Sequence, residues 1–123
     1  MRMQAYARDN IADTQEPALE TFLQCLHYLQ AIDRNFPLQY AVCLTEIARD
    51  EGLSPSTLAE RTNLGLSTVS RIIAALGEHR PNGHSYQLIR ITISDEERRR
   101  KRLFLTNQGQ ALIERALSCI KHS

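Results

Sequence analysis

Two short segments of helical apolar periodicity, joined by a link too short for anything but a tight turn, restrict this chain more than any other feature in it. The first is Ser54-Pro55-Ser56-Thr57-Leu58-Ala59-Glu60, ending near Thr62-Asn63. Ser54 is a favoured N-cap residue, Pro55 falls at the first helical position, where its missing N–H is no loss, and Thr57 reinforces the start. The second begins around Gly65-Leu66-Ser67 and covers residues 66–78, with Val69, Ile72, Ile73 and Leu76 as a buried stripe. Ser67, Thr68, Ser70, Arg71, Ala74 and Ala75 form its opposite face. Helices that cross this closely need a small residue in the first, which is Ala59. Four positions later they need a residue that tolerates a positive φ. Glycine is the usual solution; Asn63, of a type that enters the left-handed region more readily than most, stands there instead. The pattern is a helix-turn-helix whose crossing is fixed by Val69 and Ile72.

The flanks complete a mostly helical chain. Residues 1–15 read as a loose polar arm. A helix from Glu16 carries Leu19, Phe22, Leu23, Leu26, Leu29 and Ile32 at three-and-four spacing, with Pro17 in its first turn. Asn35-Phe36-Pro37 breaks it. A second helix follows, with Tyr40, Ala41, Leu44, Ile47 and Ala48 on one face and Gly52 as its stop. After the helix-turn-helix, Pro81-Asn82-Gly83 signals a turn. Tyr86 to Ile93 alternates Leu88, Arg90 and Thr92 against Ile89, Ile91 and Ile93, and Arg100 to Leu105 alternates again, predicting a β-hairpin. Thr106 caps a last helix bearing Ala111, Leu112, Leu117 and Ile120. The expected fold class is mainly α with a small β-hairpin, as one unit over residues 1–123.

At 123 residues a two-domain enzyme is not expected, and 42% apolar with 24% charged residues is a globular balance. No apolar run is long enough to span a bilayer and the N-terminal stretch lacks the apolar region of a signal peptide, so a cytoplasmic location is expected. Phosphate-cradling glycine motifs and a GxSxG nucleophile segment are missing, so no enzyme is expected and no cofactor is called. Cys25, Cys43 and Cys119 are an odd set without CxxC spacing and lie beside apolar helical positions, which reads as packing rather than disulfide, zinc or redox chemistry. His27, His79, His84 and His122 are scattered, and no metal site is called.

The net charge of +1 hides an asymmetry: residues 1–65 hold 5 basic and 9 acidic side chains, residues 66–123 hold 10 basic and 5 acidic. A basic half of this kind points to a polyanionic partner. Ser67, Thr68, Ser70 and Arg71 face outward at the start of the second helix of the motif, where they can reach base edges or phosphates in a major groove. Arg98, Arg99, Arg100, Lys101 and Arg102 are consecutive at the predicted hairpin tip and returning strand. Directly after a helix-turn-helix, such a run (residues 94–102) reads as a wing that follows phosphates or enters a narrow minor groove. The bland alternative is a solvated surface run partly matched by Asp95, Glu96 and Glu97.

Taken together, LSPSTLAERTNLGLSTVSRIIAAL, LIRI and DEERRRKRLFLTNQGQALI resemble the winged-helix MarR-type transcriptional regulators. That family's wing pairs an acidic residue with two arginines, then has Leu-Thr, two residues and Gly after a short strand. Glu97-Arg98-Arg99 stands where the family has Asp-Arg-Arg, and Leu105-Thr106-Asn107-Gln108-Gly109 matches the rest. The resemblance spans about residues 20–117 and implies a homodimeric, sequence-specific repressor binding double-stranded DNA. It maps Ser67, Thr68, Ser70 and Arg71 onto the groove-reading helix, Arg98 and Arg99 onto the wing, and Ser56 and Thr57 onto DNA-backbone contacts. Residues 16–34 and 107–123 would interlock as dimerisation helices around a winged-helix core at 37–106. The link 79–85 is longer than the family's, the terminal helices look short, and no residue pattern indicates a small-molecule effector. The rival reading is a protein-interaction module of a phage or plasmid control complex, its basic wing meeting an acidic protein surface.

Overall fold

The computed structural model describes residues 10–77, 85–95 and 100–121. In chain order the elements are α1 (Ile11–Ile32), α2 (Leu38–Arg49), α3 (Pro55–Thr62), α4 (Leu66–Leu76), β1 (Ile89–Ile93), β2 (Lys101–Leu105) and α5 (Asn107–Lys121). The architecture is a winged helix-turn-helix, mainly helical with one antiparallel two-stranded hairpin among the described residues.

Helix α1 begins at Ile11 rather than Glu16, so residues 11–14 form a helical turn and not a loose arm. The two readings meet at a kink. Gln15 has non-helical backbone angles (φ −123°, ψ 18°) two residues before Pro17. Proline removes one N–H from the helical ladder and its ring crowds the carbonyl four residues back, which breaks the helix there. Pro17 therefore does occupy the first turn of the segment that restarts beyond the kink.

The core lies where α2, α3 and α4 meet the root of the hairpin. Cys43, Leu44 and Ile47 come from α2, Leu58 from α3, Val69, Ile72, Ile73 and Leu76 from α4, and Leu88, Ile89, Leu103 and Leu112 close it. Ala75 also is buried, contrary to its expected outward placement. The chain at 86–88 lies along that end of α4: Tyr86 N–H donates to Ala75 O (3.1 Å), Leu88 N–H to Leu76 O (2.8 Å) and Gln87 N–H to Gly77 O (3.0 Å). These bonds satisfy carbonyls that a helix terminus leaves without partners.

The same contact shortens the first strand. Gln87 has φ 56°, which ends the extended run expected from Tyr86, and β1 starts only at Ile89. Leu88 and Ile89 are consecutive and both buried, whereas Ile91 and Ile93 are 40% and 48% exposed. The hairpin thus leaves the core after its first pairs and projects outward. Register pairs Ile89 with Leu105, Ile91 with Leu103 and Ile93 with Lys101, and Ser94 N–H donates to Arg100 O at 2.8 Å.

The outer edge of β2 is occupied as well. Gly52 N–H donates to Leu103 O (2.7 Å), Leu103 N–H donates to Leu53 O (3.0 Å) and Leu105 N–H donates to Glu51 Oε1 (2.9 Å). The link between α2 and α3 therefore fixes where the hairpin stands relative to α3. Gly52, at φ 99°, makes the turn that allows it.

Thr106 caps α5: its Oγ1 accepts from Gly109 N–H (3.0 Å) and donates to Gln87 O (2.7 Å). Helices α1 and α5 pack together, and Cys25 Sγ donates to Ala116 O at 3.7 Å.

Candidate nucleic-acid interface

The local chemistry of the helix-turn-helix is as the sequence dictates. Ser54, extended at φ −89° and ψ 161°, accepts from Thr57 N–H through Oγ at 3.1 Å and donates to Thr57 Oγ1 at 3.1 Å. Asn63 adopts the left-handed region at φ 59°, ψ 32°. Its N–H and that of Leu64 return to the carbonyls of Glu60 and Ala59, closing the turn. Val69 and Ile72 are buried beneath, so the start of α4 is held at a defined angle to α3.

Helix α4 opens on Gly65, which supplies no side-chain acceptor to the first-turn N–H groups. A Cβ at that position would meet nothing within 4 Å. Ser67, Ser70 and Arg71 are exposed over the first turns and Thr68 is half-buried. Helix α4 ends at Leu76, short of the expected 78, with Gly77 as its C-cap.

One open groove joins the two features that the sequence suggested separately. Ser54, Pro55, Ser56 and Thr57 line it from the start of α3, with Glu60 one turn on, Leu66 and Ser70 from the start of α4, and Arg100 and Lys101 from the outer end of the hairpin, at the start of β2. A second concavity continues along Asp50, Glu51, Gly52 and Arg61 and shares Ser54, Thr57, Arg100 and Lys101 with the first. Of the ten candidate residues, Ser56, Thr57, Ser70, Arg100 and Lys101 are thus on one surface. Ser67, Thr68 and Arg71 belong to the adjoining turns of α4. Arg98 and Arg99, with the rest of residues 96–99, lie outside the described residues.

The cations of the hairpin and its neighbourhood are not equivalent. Arg102 Nη1 donates to Gly52 O at 3.0 Å, tying β2 to the link before α3. Arg61 pairs with Asp50 at 2.9 Å. Arg90 stacks over Phe104, 4.7 Å from the ring centroid. Arg100 and Lys101 are exposed and have no ion-pair partner among the described residues, which leaves their charge available to an anion in the groove.

Sequence reasoning did not single out Leu66. It is in phase with Val69 and Ile73, but it falls a turn before the core begins and is 52% exposed in the groove.

The cysteines sit as packing residues. Cys43 is fully buried, which pushes its thiol up to about 11. At the contact of α1 with α5, burial and then the neighbouring Cys119 raise the Cys25 thiol, and a hydrogen bond to Cys119 raises the Tyr28 hydroxyl. None of these shifts favours a reactive thiolate. The described residues contain no cluster of three or more His, Cys, Asp or Glu able to hold a metal, and no helix long and apolar enough to cross a membrane.

No protein-family model and no curated protein matches the sequence. Solved structures do. A Staphylococcus aureus MepR–DNA complex superimposes with a TM-score of 0.70 at 20% identity, covering 88% of this chain and 82% of that one. The transcriptional repressor CouR bound to a 23-mer DNA duplex gives 0.60 at 21% identity, covering 98% and 79%. PcaV from Streptomyces coelicolor in complex with its natural ligand gives 0.58 at 24% identity, covering 94% and 78%. The fold is the MarR-type winged helix-turn-helix that the sequence resembles.

Proposed function

We propose that this chain is a non-enzymatic, MarR-type regulator of transcription that binds duplex DNA sequence-specifically as a homodimer and acts as a repressor. The observation that carries the reading is the shared groove: the starts of α3 and α4 and the exposed cations Arg100 and Lys101 lie on one surface. Helix α4 enters the major groove and presents Ser67, Thr68, Ser70 and Arg71 to base edges, while Ser56 and Thr57 meet the DNA backbone. Arg98, Arg99, Arg100 and Lys101 follow the phosphates or the minor groove beside them. Two of the similar structures are described as bound to DNA, one of them as a repressor, which supports the same role here.

The dimer rests on an apolar face that the described chain leaves uncovered. Helix α1 buries no residue along its length, yet carries Leu19, Phe22, Leu23, Leu26 and Ile32 at 37–61% exposure. Leu117 and Ile120 of α5 are also exposed. An apolar face this long is typical of an interaction site. With a second copy packed there, two-fold symmetry presents two α4 helices about one DNA turn apart, roughly 10 bp between half-site centres.

A mobility shift comparing the DNA upstream of the protein's own gene with random duplex tests the reading, alongside the mass of the free protein in solution. A dimer that retards the upstream fragment at concentrations where random duplex runs free is expected. A monomer, or equal retardation of both duplexes, would overturn it.

A further inference from the structure

We infer that Leu66 is a specificity residue that packs against the 5-methyl group of a thymine in each half-site; the inference rests on the DNA-binding reading above. Among the leucine, isoleucine and valine residues of α4, only Leu66 is exposed, at 52%, while Val69, Ile72, Ile73 and Leu76 are each 5% exposed or less. A large apolar side chain so placed contributes nothing to the core. Its surroundings in the groove are polar or charged, from Ser54, Ser56, Thr57 and Ser70 to Glu60, Arg100 and Lys101, and Pro55 is the one other apolar side chain lining it.

The position matters as much as the exposure. Leu66 is the first residue of α4, and the N-terminal residues of a reading helix are those that reach base edges. Gly65 before it carries no side chain, and the space around it is open, so a duplex can approach this turn closely. The edges of base pairs in the major groove offer hydrogen-bonding groups throughout and one apolar group, the thymine methyl. Serines at 67 and 70 can bond to several bases without fixing one. Leu66 supplies the discrimination they lack, because any base without a methyl leaves it against water or a polar edge.

The test uses duplexes recovered by the protein from a random-sequence pool. Thymines in the recovered consensus are replaced one at a time by uracil, which removes only the methyl. For the native chain, one symmetry-related pair of positions is expected to lose about fourfold in affinity per methyl removed, the factor that corresponds to burying one such group. Leu66→Ala, checked by circular dichroism to be folded, should still bind the same duplex through its cations but show no uracil penalty at that pair. A native protein indifferent to uracil everywhere, or a Leu66→Ala variant that keeps the full penalty, would overturn the inference while leaving DNA binding standing. Recovery of no duplex at all would instead overturn the proposed function and this inference with it.

Discussion

Gly109 lies against the backbone of Leu88 so closely that a Cβ built on it would overlap the Leu88 carbonyl oxygen and come within 3.0 Å of its carbonyl carbon. The contact holds the start of α5 against the root of the hairpin. It is reinforced by Thr106, whose N–H donates to Leu88 O at 3.0 Å and whose Oγ1 caps Gly109. The Leu-Thr-x-x-Gly segment is therefore a clamp between helix and wing.

Gly109→Ala should accordingly destabilise the protein by about 3 kcal/mol, at the upper end of what overpacking against an unyielding neighbour costs. Urea unfolding measures it. A loss under about 0.5 kcal/mol, the level of an uninvolved surface change, would mean that the two backbones separate freely.

Asn63 occupies left-handed backbone at the turn between α3 and α4. Asn63→Ala should lose about 1 kcal/mol of stability, the penalty of that conformation for an ordinary side chain, whereas Asn63→Gly should be tolerated. Thermal unfolding of the two variants side by side checks the prediction; the reverse order would contradict it.

Cys43 links stability to pH. Burial raises its thiol to about 11 from an ordinary value of 9.0, so the native state keeps a proton that the unfolded chain gives up between those values. Its contribution is fully present below pH 9 and is lost as pH rises toward 11, by about 1.4 kcal/mol per pH unit across that window. The difference in unfolding free energy between the native protein and Cys43→Ala should narrow over the same range. A difference that stays constant from pH 8 to 11 would remove the thiol from the account.

What the sequence made legible was what local chemistry encodes. Ser54, Pro55 and Asn63 announce a helix start and a left-handed turn by their own preferences, and the helix-turn-helix between them formed as read. The misreadings were non-local. Tyr86 and Leu88 bond to the end of α4 instead of extending β1, and this same contact covers Ala75. No periodicity within residues 86–93 carries that information. Leu66 drew no notice in the sequence, because an apolar residue at a helix start, in phase with the buried stripe, does not show by itself whether the core reaches that far. The candidate site was half legible: the positions of Ser56, Thr57 and Ser70 followed from the motif, but the separation of Arg102, tied to Gly52, from Arg100 and Lys101 needed the fold.

The most direct measurement of the central claim, that Arg100 and Lys101 beside the start of α4 form a DNA-binding surface, is duplex affinity as a function of salt. If about 6–10 phosphates are contacted, native affinity should fall by roughly 10³-fold or more between 50 and 200 mM salt. The double variant Arg100→Ala, Lys101→Ala should bind more weakly and lower the log–log slope by about 0.9 for each phosphate contact removed, with its unfolding transition unchanged. A native affinity that does not respond to salt, or a double variant that keeps the native slope, would contradict the account.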